Sequence, residues 1–96
     1  MDHEELKAWA LERVKYWTDF YRAIYPPIKT GLWAEAGARY PVTTFSNSSK
    51  RIAGTAQSIQ GHITLNTTFL FELGKAFERT IAHEVAHCVA DQHTGY

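Results

Sequence analysis

The segment His83-Glu84-Val85-Ala86-His87 holds residues whose types and spacing spell out chemistry. It is an HExxH pattern. Two imidazoles four residues apart lie on one helix face, one turn apart, so both can reach one tetrahedral zinc ion. Glu84 projects to one side of the pair, where its carboxylate can reach a water on the metal without ligating the metal. Two nitrogens for Zn2+ and one carboxylate as general base make the chemistry of zinc-assisted hydrolysis. The zinc would lower the pKa of its water toward about 7, and Glu84 would take the proton as the water attacks a carbonyl carbon.

A catalytic zinc ordinarily has three protein ligands plus water. His93 and Asp91 are the internal candidates for the third. The spacing His83-x3-His87-x5-His93 is that of the HExxHxxGxxH pattern, but Ala90 stands where the pattern needs a glycine to turn the chain. On an unbroken helix His93 lies about 120° round from His87, so reaching the metal requires the helix to break by Gln92. Asp91, four residues after His87, lies closer to the pair on the same wheel, and a carboxylate oxygen is an acceptable zinc ligand. Both stay open, as does a ligand from outside the chain. A metal held by two nitrogens alone is expected to be weak and easily stripped.

These residues need a helix to carry them. Phe77, Ile81, Val85, Cys88 and Val89 form an apolar stripe over residues 75–91. With Phe77 at zero the stripe covers about 0–120°, and His83 and His87 fall near 240° and 280°. The pair therefore points away from the core, toward a cleft. Upstream, Asp2 with Glu5 reads as a capping box, and Leu6, Trp9, Ala10, Val14, Trp17, Phe20, Tyr21 and Ile24 recur at helical spacing until Pro26-Pro27 stops the helix. Residues 28–40 read as a connector with a short helical turn at 32–36. Three strands are expected at 42–45, 51–57 and 62–65, the last two joined as a hairpin through a turn at 58–61, with Gly61 free to take positive φ. Asn66 is a cap for a short helix over 67–73 that Gly74 stops. Residues 52–57 are either a sheet edge that could pair with an extended substrate or a plain internal strand.

Composition bounds the rest. The chain has 96 residues, enough for one core, with 45% hydrophobic and 14% aromatic residues. Ten basic residues balance ten acidic ones, which argues against a strongly cationic nucleic-acid binder. One cysteine excludes a disulfide framework and favours a reducing compartment. No apolar run approaches the roughly 20 residues needed to span a bilayer, and the acidic N-terminus is not a secretory leader, so a cytoplasmic location is expected.

The run Ala53-Gly54-Thr55-Ala56, then His62-Ile63-Thr64-Leu65-Asn66, then Thr80-Ile81-Ala82-His83-Glu84-Val85-Ala86-His87 resembles the core of the SprT-like family of zinc metalloproteases. The likeness covers roughly residues 40–96. It implies an α+β fold of minimal zincin type: an N-terminal helix, a small three-stranded sheet and the HExxH helix packed beneath it. It implies peptide hydrolysis with His83 and His87 as zinc ligands and Glu84 as the catalytic glutamate. A protein or peptide substrate is then the expected partner, and association with DNA is implied by the likeness alone. In the family pattern the third ligand is a histidine a dozen or so residues past the second, beyond Tyr96. The single domain 1–96 is accordingly expected to be a fragment lacking that segment. The alternative is a truncated, inactive zincin scaffold that binds a protein partner, for example as a phage-encoded inhibitor.

Overall fold

Asp2 opens the first helix as the sequence predicts: its side chain accepts from the Glu5 amide, and Glu5 reaches back to the cap amide. The helix, α1, spans His3–Ile24, and Pro26-Pro27 follow its end. The computed structural model describes residues 1–27, 39–47 and 51–94. The expected turn at 32–36 lies outside them.

Three strands follow, β1 (Val42–Ser46), β2 (Gly54–Gln57) and β3 (His62–Asn66). Their order is β1-β3-β2, with β1 parallel and β2 antiparallel to the central β3. The expected hairpin is present: the Gly61 amide donates to the Ser58 carbonyl at 3.2 Å, and Gly61 has φ 65. β2 is shorter than the 51–57 expected. β3 ends at Asn66, whose backbone and side-chain amides donate to the carbonyls of Ala53 and Ile52. Residues 51–53 thus lie outside the strand proper, and Ala53 meets the end of β3 through one backbone hydrogen bond with Asn66.

Asn66 also caps α2 (Thr67–Leu73) by accepting from the Thr68 amide at 2.9 Å. Gly74, φ 58, ends that helix with nothing near the position of a side chain, so backbone freedom is the reason for glycine there. A 3-10 turn, Gly74–Phe77, drops Phe77 into the core before α3 (Glu78–Thr94) begins. The last helix therefore starts three residues later than its apolar stripe suggests.

All five stripe residues, Phe77 before α3 and the other four on it, are buried, together with Ile63, Leu65, Leu70 and the α1 face Leu6, Ala10 and Val14. Each large aliphatic side chain among them contributes about 1.5–3 kcal/mol of burial. Arg13 pairs with Glu78 near one end of the α1–α3 seam, and Arg22 donates to Gln92 Oε1 at 3.2 Å near the other. The two helices thus run in the same direction. Ile63 and Leu65 are buried, and the intervening His62 and Thr64 lie on the sheet's opposite face with Thr44. The chain is a mixed α+β unit with an N-terminal helix, a three-stranded sheet and a C-terminal helix. No described helix is long and apolar enough to cross a membrane.

Candidate metal centre

The i, i+4 spacing on α3 brings His83 Nε2 and His87 Nε2 to 3.1 Å, with the rings nearly perpendicular at 86°. Both side chains are exposed, as the helical wheel requires. Nitrogens sharing one tetrahedral zinc at ordinary bond lengths stand about 3.3 Å apart. The observed separation therefore fits a shared metal. It also fits a hydrogen bond with one Nε2 protonated, a proton that metal would displace.

Glu84 behaves differently from its neighbours. It is 6% exposed, and no hydrogen bond or ion pair engages its carboxylate among the described residues. One carboxylate oxygen and the two imidazole nitrogens lie within 4.8 Å of one another. Its oxygens are not among the fully enclosed polar atoms that lack a partner, so the stem of the side chain is buried while the carboxylate still meets solvent. Here it stands beside two converging nitrogens. The helical wheel holds a signal for this burial, since Glu84 falls near 340°, at the border of the apolar stripe.

The strand across from Glu84 is β2. A Cβ on Gly54 would lie 3.2 Å from Glu84 Cγ, 3.3 Å from Glu84 Oε2 and 3.2 Å from Thr80 Cγ2. Gly54 and Thr80 are therefore the walls of the carboxylate's slot. Sequence periodicity gave no reason to single out either.

β2 is an edge: no strand pairs with its far side among the described residues. The bond from the Asn66 amide to the Ala53 carbonyl fixes which groups point outward. In an antiparallel ladder hydrogen-bonded pairs alternate with pairs whose amides and carbonyls face away. Ala53–Asn66 is a bonded pair, so Thr55–Thr64 is the next, and Gly54 and Ala56 present their N–H and C=O to the open side.

The other singled-out residues lie elsewhere. His93 Nδ1 donates to the Pro26 carbonyl at 2.9 Å, and its ring meets Tyr25 edge-on. Asp91 accepts from the Ser58 hydroxyl at the β2–β3 turn. α3 continues through both to Thr94 without the break that would carry His93 to the pair. Among the described residues neither joins the group of His83, Glu84 and His87. His62 pairs with Thr44, and His3 stacks on Phe71 at 3.6 Å. Cys88 is buried. Burial, reinforced by the Asp91 and Glu84 carboxylates, pushes its thiol pKa up to about 12, so it is no nucleophile at neutral pH.

Comparison of the chain with protein-family models, with curated proteins and with solved structures finds no match. The arrangement on α3 stands on its own geometry. It could hold a metal ion through two imidazoles, with the Glu84 carboxylate beside them able either to ligate or to take a proton. A cavity of about 330 Å³ lies between α1 and α3 and is lined mainly by apolar groups that include Ala86 and Ala90, the helix neighbours of His87.

Proposed function

We propose that the chain is a zinc-dependent peptidase of the SprT-like kind, hydrolysing a peptide bond in a protein or peptide substrate. One observation carries this reading: two exposed imidazole nitrogens 3.1 Å apart beside a buried, unpartnered glutamate within 4.8 Å. Imidazole pairs of this kind suit zinc, which when bound polarises a carbonyl and lowers the pKa of water toward about 7.

The residues of the chain divide the remaining work. His83 and His87 hold the metal. Glu84 accepts a proton from the attacking water and returns it to the leaving amine. Gly54 and Ala56 on the open edge of β2 can pair with the backbone of an extended substrate, laying it across the face that carries Glu84. The apolar cavity beside Ala86 and Ala90 has room for one apolar side chain of that substrate. The order of segments, an Ala53-Gly54-Thr55-Ala56 strand, a strand ending Leu65-Asn66 and the HExxH helix, supports the SprT-like reading.

The test is cleavage of a denatured protein by zinc-loaded chain, with products read by mass spectrometry. Cleavage that a chelator stops, that zinc restores and that Glu84→Gln lacks is the expected result. A zinc-loaded wild type that cleaves nothing, or a Glu84→Gln variant as active as wild type, would overturn the proposal.

A further inference from the structure

Gly54 sits in a strand, where glycine is unfavourable relative to alanine by roughly 0.5–1 kcal/mol because it loses more chain freedom on folding. Two other glycines among the described residues, Gly61 and Gly74, have positive φ, a conformation that side chains resist. Gly54 does not. Its backbone would suit any residue, so conformational freedom does not explain it. Space does: a methyl there would press on Glu84 Cγ and Thr80 Cγ2 at 3.2 Å and on Glu84 Oε2 at 3.3 Å. Such contacts are tighter than side chains ordinarily make, and Glu84 would have to move by a few tenths of an ångström.

We infer that Gly54 is a positioning residue: the missing side chain at this rung of the edge strand fixes where the Glu84 carboxylate lies beside His83 and His87. The inference rests on the reading of Glu84 as the base. Thr80, one helical turn before Glu84, crowds the same spot from α3, so a side chain on Gly54 could be accommodated only by moving Thr80 or Glu84. No hydrogen bond sets the place of the Glu84 carboxylate among the described residues. A group without such a bond takes its position from the packing around it, and proton transfer is steep in distance: a misplacement approaching 1 Å can cost about 10²-fold in rate. Gly54 also turns its own N–H and C=O to the open edge. The residue that sets the carboxylate's depth is thus the one a paired substrate strand would touch.

Four proteins test this: wild type, Gly54→Ala, Glu84→Ala and the double variant. Thermal unfolding of the metal-free proteins reads the contact without reference to activity. Gly54→Ala should lower Tm by about 4–8 °C in the wild-type background and by less than half of that in the Glu84→Ala background, because the methyl then has room. Kinetics of zinc-loaded Gly54→Ala should show kcat reduced about tenfold or more, with KM and zinc content within about twofold of wild type. Equal Tm losses in both backgrounds, or a fall in zinc content that accounts for the lost rate, would overturn the inference. Should wild type cleave nothing, the hydrolytic reading fails while the thermal cycle still decides whether Gly54 places Glu84. Should Gly54→Ala not fold, a folded double variant supports the contact and an unfolded one refutes it.

Discussion

The two halves of α3 carry similar residues to opposite ends. Around its middle turn, His83 and His87 contact each other, and the Glu84 carboxylate, close to both, makes no hydrogen bond or ion pair among the described residues. Two turns on, the polar side chains are tied to other elements: Asp91 to Ser58, Gln92 to Arg22, His93 to Pro26. Both stretches offer a carboxylate within reach of an imidazole by sequence. What separates them is where their lone pairs and protons are already spent. A histidine or carboxylate engaged in holding the fold is not free for a ligand. The polar groups left over, close together and at the end of an open edge strand, are the ones available for chemistry.

The difference predicts effects that decline in size from the first half to the second. His83→Ala or His87→Ala should take metal from about one ion per chain to near none and abolish hydrolysis, as elemental analysis and a cleavage assay would read. Unchanged metal in either variant would remove the middle turn's claim. Glu84→Gln should keep metal within about twofold while hydrolysis falls about 10²–10⁴-fold, because the imidazoles remain and the base does not. Loss of metal in that variant would make Glu84 a ligand instead.

At the far end the expectation reverses. Asp91→Ala and His93→Ala should each cost about 1–2 kcal/mol of stability in a denaturant titration, from the broken ties to Ser58 and Pro26. Their zinc affinities should stay within about threefold of wild type. A tenfold drop, about 1.4 kcal/mol, in either one would carry that residue across into the metal site.

Cys88 lies on the core side between the two halves and supplies the smallest effect at neutral pH. Its folded-state pKa is raised from 9.0 to about 12, chiefly by burial. The thiol therefore contributes stability that is fully present below pH 9 and is lost as pH rises from there through about 12. Cys88→Ala should remove that component, flattening the alkaline fall in stability by up to about 1.4 kcal/mol per pH unit while leaving the neutral-pH slope unchanged.

Much of this was legible in the chain because it is local. The Asp2 box, the Asn66 cap, Gly61 and Gly74 at their turns, and the α3 stripe all depend on neighbours within a few residues, where spacing alone sets geometry. The His83–His87 convergence belongs to the same class, since four residues of α-helix place two side chains one above the other whatever surrounds them. The start of α3 was harder to place. The stripe begins at Phe77, but the Gly74 turn holds that residue in a 3-10 coil, and apolar spacing does not distinguish the two.

Short-range spacing therefore accounts for most of the elements and for the pairing of two imidazoles, because hydrogen bonds and side-chain periods within a helix act over one turn. Long-range packing sets that β3 lies between β1 and β2, that Glu84 lies against Gly54, and that Asp91 and His93 are bound to the hairpin turn and to the end of α1. The last two of these join residues about 30 to 67 positions apart. They follow from which surfaces bury one another, and no local period encodes that.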